Sequence, residues 1–220
     1  MDKSTESMYD AHSQDYDNAH CARKASEITA VEEIVVKSFL RRLEFTDVLD
    51  AATGTGRYAL FLAEQGKRVE ATDQSANMLA VARRKAEERG LHVRFRKEPV
   101  SEIGSPNSST DLVLCMLALA HVQDLQAPMR EFARILRPGG HLIISDLHPD
   151  IQACWGPDST TEINGAEFPF PSYHSSTQEY EAAAVSAGLD VVAVVDVPMQ
   201  QERGLFPGPF VMLAAKPEPG

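Results

Sequence analysis

Apolar residues fall along this chain in two alternating rhythms. Short apolar runs of strand length are followed by stretches with apolar positions three and four apart, the period of a helix packed on one side. Strands one to five are predicted at Asp47–Asp50, 68–72, His92–Arg96, Asp111–Met116 and His141–Asp146. The fourth, DLVLCM, is apolar almost throughout, as expected of a strand covered on both faces. Asp190–Val197 and about Phe210–Ala215 supply strands six and seven. Ile28, Val31, Ile34, Val35, Phe39, Leu40 and Leu43 predict a helix over 26–43 that packs on the sheet. Further helices are predicted over about 57–65, 75–89, 126–136 and Thr177–Ala187. Glycines stop most of them, and Arg137-Pro138-Gly139-Gly140 turns one helix straight into strand five. Strand and helix in alternation predict a doubly wound α/β domain.

Two segments break the rhythm. Residues 1–24 are polar but carry Tyr9-Asp10 and Tyr16-Asp17, spaced so that both tyrosines can share one side of a helix. Aromatics on a polar arm need something to cover, so this arm is expected to be a lid, with His12 on it. Residues 148–176 are the least regular part, with Trp155, Phe168, Phe170 and Tyr173 among prolines and glycines. A long insertion of this kind is usually functional or disordered, and so many aromatics argue against disorder. It is expected to cap the substrate. Lys97–Thr110 is a loop rich in Ser, Pro and Asn.

At 220 residues one domain over 1–220 is expected, and the apolar and charged fractions (43% and 24%) are those of a globular protein. A net charge of −11 makes a phosphate backbone a poor partner, and the short basic clusters at Arg83–Lys85 and Arg94–Lys97 are interleaved with acids. Cys21, Cys115 and Cys154 form no C-x-x-C, so neither zinc nor a disulfide framework is indicated. No signal-peptide core and no membrane-length apolar run is present, which leads to the expectation of a cytoplasmic protein with no membrane partner.

The chemistry centres on Asp47–Gly56, DVLDAATGTG: a strand ending at Asp50, a loop of small residues, then a helix. Small residues let a ligand reach the backbone. The second strand runs to Asp73, and an acid there can accept both hydroxyls of a ribose. Asp73-Gln74-Ser75-Ala76-Asn77-Met78-Leu79 follows, then Leu119-Ala120-His121-Val122 after strand four and Leu136-Arg137-Pro138-Gly139-Gly140 before strand five. These motifs resemble those of the class I S-adenosylmethionine-dependent methyltransferases of small-molecule type, with Ala52 where the first loop glycine is usual.

The resemblance implies a Rossmann-like, seven-stranded, mostly parallel sheet with helices on both faces, an antiparallel last strand, an N-terminal lid and a cap after strand five. It implies S-adenosylmethionine as cofactor, giving S-adenosylhomocysteine. Asp50, Ala51, Ala52, Gly54 and Gly56 would hold the methionine portion, Asp73 and Gln74 the ribose side, Met78, Glu98 and Val100 the adenine, with Met116 and Tyr16 nearby. Tyr9, His12, Trp155, Phe168, Phe170 and Tyr173 would meet a small aromatic or hydrophobic acceptor methylated on O or N. Methyl transfer from a sulfonium needs orientation, exclusion of water and, for some acceptors, a base. His148, His174 and His121 are the candidate bases. No metal is required. A nicotinamide oxidoreductase would want G-x-G-x-x-G, but Ala59 stands where its third glycine belongs. A non-catalytic partner subunit would tend to lose Asp50 and Asp73. A monomer or homodimer is expected.

Overall fold

The computed structural model describes residues 3–14, 16, 23–150, 160–163, 166–169, 173, 175–201, 204–206 and 208–218. Its helices are α1 (Lys3–His12), α2 (Arg23–Leu40), α3 (Arg57–Glu64), α4 (Ala76–Glu88), α5 (Gln126–Ile135) and α6 (Thr177–Ser186). Its strands are β1 (Asp47–Ala51), β2 (Arg68–Asp73), β3 (Val93–Lys97), β4 (Thr110–Met116), β5 (Leu136–Leu147), β6 (Thr160–Ile163), β7 (Ala166–Pro169), β8 (Asp190–Asp196), β9 (Met199–Gln201), β10 (Gly204–Phe206) and β11 (Pro209–Ala215). Seven of them form one sheet in the order β3-β2-β1-β4-β5-β11-β8. The pairs from β3 to β5 are parallel, and β11 runs antiparallel to both β5 and β8.

Period-two alternation sorts the central strands onto two cores. On one face Leu49, Val113, Cys115, Leu142, Ile144 and Met212 pack against Met129, Phe132 and Ile135 of α5 and Tyr180 and Ala183 of α6. On the other, Val48, Leu112, Leu114, Ile143 and Val211 meet Val36, Phe39 and Leu40 of α2, Tyr58 and Leu62 of α3, and Leu79 and Ala82 of α4. Each large side chain buried this way contributes ~1.5–3 kcal/mol relative to exposure. Local chemistry sets the helix starts. Ser75 caps α4 by accepting the Met78 N–H at 3.1 Å. Ser176 and Glu179 form a capping box at the start of α6.

Several expectations are corrected. The Tyr9–Tyr16 segment is not one helix: α1 ends at His12 and a turn follows, yet the two rings still meet edge to face, with centroids 5.9 Å apart. The Arg137–Gly140 segment falls inside β5, which begins at Leu136, and forms an irregularity there: the register with β4 shifts from Thr110 opposite Leu136 to Leu112 opposite His141 across it. Gly139 donates its N–H to the Lys216 carbonyl, and Lys216 donates back to Gly140. The pairs β6-β7, inside the expected cap, and β9-β10 are short antiparallel hairpins beside the main sheet that apolar rhythm did not foretell.

Candidate functional site

The carboxyl ends of β1, β2 and β4 open into a cavity of about 540 Å³, within the range of small-molecule sites. β1 delivers Asp50, which is 3% exposed. Its Oδ2 accepts the Thr53 hydroxyl at 2.6 Å and the Ala59 N–H at 2.9 Å. Gly56, the residue before α3, has no side chain to cap that helix. Asp50 therefore caps α3 from the preceding strand, where a negative charge also suits the helix dipole. Burial pushes its carboxyl up to about 6, against the pull of those donors.

The loop turns through positive φ at Ala52, Gly54 and Gly56. A Cβ on Gly54 would meet nothing within 4 Å, so this backbone faces open space. A Cβ on Gly56 would sit 3.1 Å from that of Ala82, so Gly56 is there for the packing of α3 on α4. Asp73, at the tip of β2, stabilises the same loop. Its Oδ2 accepts the Gly54 N–H at 2.8 Å and its Oδ1 the Ser75 N–H at 2.8 Å. Burial again pushes the carboxyl up to about 6, with the N–H donors opposing.

The far wall is the end of β4 with the short 3-10 turn Leu119–His121. Asp146 at the end of β5 braces this turn from behind, accepting the Ala120 N–H at 2.6 Å and the Tyr180 hydroxyl at 2.8 Å. His121 is buried, and its Nε2 lies 3.0 Å from the Tyr9 hydroxyl. α1 is tied down beside it: Asp10 accepts the Ser75 hydroxyl at 2.5 Å, its carbonyl accepts Asn77 Nδ2 at 2.9 Å, and Lys97 reaches Glu6 at 2.8 Å. Burial, then the negative groups around it, push the Tyr9 phenol well above its ordinary value, so it stays neutral.

Of the residues expected from sequence, Asp50, Ala52, Gly54, Asp73, Met78, Met116, Tyr9, Tyr16 and His121 line this cavity together. Others lie elsewhere. Glu98 is outside the lining, paired with Arg96 at 3.0 Å and accepting the Gly104 N–H at 3.1 Å. Val100 belongs to the apolar core. Ala51 is buried in that core behind the loop, and Gly56 is beneath it. Gln74 does not line the cavity, although its Nε2 is buried without a partner among the described residues. His148 stands at the end of β5 with Nδ1 3.5 Å from Asp150, outside the lining. Tyr173 is exposed and is held through its backbone, its N–H donating to the Ala120 carbonyl at 2.6 Å. Trp155, Phe170, His174 and the side chains of His12 and Phe168 lie outside the described residues.

Sequence reasoning missed Arg57, Tyr58, Thr29 and Leu117, which also line the cavity, and Glu32 behind them. Arg57 and Tyr58 directly follow the glycine loop, which was the available signal. Among the described residues, no group of three or more His, Cys, Asp or Glu is placed to hold a metal ion. No described helix is long and apolar enough to cross a membrane.

This sheet order, with an acidic tip on each of two neighbouring strands and a positive-φ loop between them, is similar to the fold of solved S-adenosylmethionine-dependent methyltransferases. Residues 49–144 match the methyltransferase domain family model. The chain is 38% identical over 111 residues to a demethylmenaquinone methyltransferase of Thermus thermophilus, covering 50% of each chain. It is 34% identical over 113 residues to a ubiquinone biosynthesis O-methyltransferase of Methylocella silvestris, covering 51% of this chain and 44% of that one. The matched segment thus spans about half the length of these curated relatives. In fold it is similar to a methyltransferase structure from Methanosarcina mazei, with a TM-score of 0.70 at 18% identity, covering 82% of this chain and 97% of that one.

The Methanosarcina mazei structure is that of an S-adenosylmethionine-dependent methyltransferase, and the residues lining the cavity here fit that cofactor. Gly54 leaves room for a ligand against the backbone, and Asp73 sits where ribose hydroxyls can donate to it. Met78, on the cavity lining, would offer an adenine an apolar contact. Asp50 Oδ1 meets no donor among the described residues and suits an ammonium.

Proposed function

We propose that this chain transfers the methyl group of S-adenosylmethionine to a hydroxyl oxygen of a small aromatic acceptor, with His121 receiving the acceptor's proton. The observation that carries this reading is the cavity itself. One wall is the acidic, glycine-loop cradle; the other is Met116, Leu117 and Ala118 with His121 and the two tyrosines. The apolar strip suits a ring, and His121 is the one candidate base among the described residues that reaches the cavity. Ring acceptors fit the names of the relatives, which act on demethylmenaquinone and in ubiquinone biosynthesis.

Bound here, the cofactor supplies an activated methyl group on a sulfonium. The loop and Asp73 would hold it, α1 with Tyr9 and Tyr16 would exclude water, and the apolar strip would take the acceptor. Nε2 of His121 is already a hydrogen-bond partner of a phenol, that of Tyr9. A phenolic acceptor meeting the same nitrogen would pass its proton there as the new O–C bond forms. The test is S-adenosylhomocysteine production with a panel of phenols, hydroquinones and amines. Phenols or hydroquinones should turn over, and His121→Gln should lower kcat by about 10²–10⁴ while leaving S-adenosylhomocysteine binding intact. Turnover of amines alone, or full activity in His121→Gln, would overturn it.

A further inference from the structure

The mechanism above leaves one buried polar cluster unused. Glu32, on α2, is fully buried. Its Oε1 accepts the Ser145 hydroxyl of β5 at 2.5 Å. Its Oε2 accepts Arg57 Nη1 at 2.7 Å and the Tyr58 hydroxyl at 3.1 Å. Elements distant in sequence thus converge on one carboxylate. A buried ion pair of this kind returns little net stability against its desolvation cost, so its retention asks for another explanation.

Arg57 and Tyr58 are the parts of the cluster that reach the cavity, and Arg57 is the cationic one. Its guanidinium lies over the Tyr58 ring, 4.4 Å from the centroid, and Glu32 is the one acceptor it meets among the described residues. Ring below and carboxylate behind fix the plane of the fork and leave its other N–H groups for a ligand. Burial works against the charge, but Glu32 outweighs it and raises the pKa above the ordinary arginine value. The sheet order says which end of the ligand this is. Asp73 sits on β2, whereas Glu32 is anchored to β5, separated from β2 by β1 and β4. Strands lie ~4.8 Å apart, so the two anchors are offset by ~14 Å across the sheet. A ligand whose ribose meets Asp73 extends its amino-acid end toward Arg57.

We infer that Arg57 binds the α-carboxylate of the cofactor's amino-acid portion, that Glu32 is the residue positioning it, and that the pair makes the site select a carboxylate-bearing sulfur nucleoside over one without. The inference rests on S-adenosylmethionine occupying this cavity. A guanidinium suits the task because it can give one edge to Glu32 and another to the ligand, which an ammonium cannot.

Calorimetry with S-adenosylhomocysteine and 5′-methylthioadenosine separates the possibilities. The second ligand keeps the nucleoside and sulfur but lacks the amino acid. Wild type should bind S-adenosylhomocysteine more tightly. Arg57→Ala and Arg57→Lys should each weaken that ligand by about 10- to 100-fold and leave methylthioadenosine within about threefold of wild type, which also reports that the variant is folded. Glu32→Gln should weaken S-adenosylhomocysteine selectively, by a smaller factor. Unchanged S-adenosylhomocysteine affinity in both Arg57 variants, or parallel loss of both ligands, would overturn the assignment. If wild type bound neither ligand, the cofactor reading would fail, and this inference with it.

Discussion

Asp73→Asn is the sharpest test of the cofactor cradle. The substitution keeps shape and removes charge. In the native protein the two carboxylate oxygens take separate N–H donors, from Gly54 and Ser75, while the side chain lines the cavity. An amide has one acceptor oxygen, so one of those N–H groups would face an NH₂ instead. Ribose hydroxyls donating to a carboxylate gain ~1.5–3 kcal/mol each, about twice the value for a neutral acceptor. Losing the charge should therefore weaken binding by ~2–3 kcal/mol, about 30- to 150-fold in Kd. Stability should move little. Burial holds the Asp73 carboxyl near 6, so at pH 8 the native protein carries a charge it would shed, and the amide is spared that. The assays are calorimetric titration with S-adenosylhomocysteine and thermal melting, both at pH 8. The expected pattern is the stated loss of affinity with a Tm shift within about 4 °C. A Kd within about threefold of wild type would refute the role of Asp73.

The same carboxylates set the pH dependence. Asp50, Asp73 and Asp146 are each pushed up by burial from 3.8 to about 6. The folded chain then binds these protons more tightly than the unfolded one, so the ligand-free protein should gain stability as pH falls from about 7 toward 4. His141, whose pKa burial lowers, opposes this only in part, and melting from pH 5 to 8 should show a higher Tm on the acid side. Cofactor affinity should run the other way, falling as Asp73 and Asp50 protonate below about 6, while Asp73→Asn should show a shallower fall there, that of Asp50 alone; parallel curves for both proteins would contradict this. Gly56→Ala should cost about 1–3 kcal/mol in denaturant unfolding, because Gly56 has a φ of 90° and a Cβ there would press on Ala82; an unchanged midpoint would deny that tight approach.

The fold was legible where the chemistry is local. Val48-Leu49, DLVLCM and the glycine-stopped amphipathic helices state their own structure, and Asp50 and Asp73 fall at the ends of their strands as the apolar runs imply. What escaped depends on distant partners. Glu32 sits beside Glu33 and looks like one more solvated acid; only the approach of Arg57 and Ser145 buries it. Glu98 lies just past β3, where an adenine-binding acid was expected, and pairs with Arg96, a neighbour two positions back that no local pattern ties to it. Among the histidines, His121 is brought inward by Asp146 bracing its turn, a contact across 26 residues that no local pattern encodes.

The placement of β11 between β5 and β8 has a consequence for assembly. A chain leaving the ribosome completes β1 to β5 with the outer border of β5 still bare, a row of unclaimed amides and carbonyls. β8 has nothing to pair with until Pro209–Ala215 slots in between. The half of the cavity on β1 and β2 can therefore mature early. The β5 flank, where Asp146 and Ser145 steady the histidine turn and Glu32, closes last, and the two halves of the site acquire their final form at different moments of synthesis.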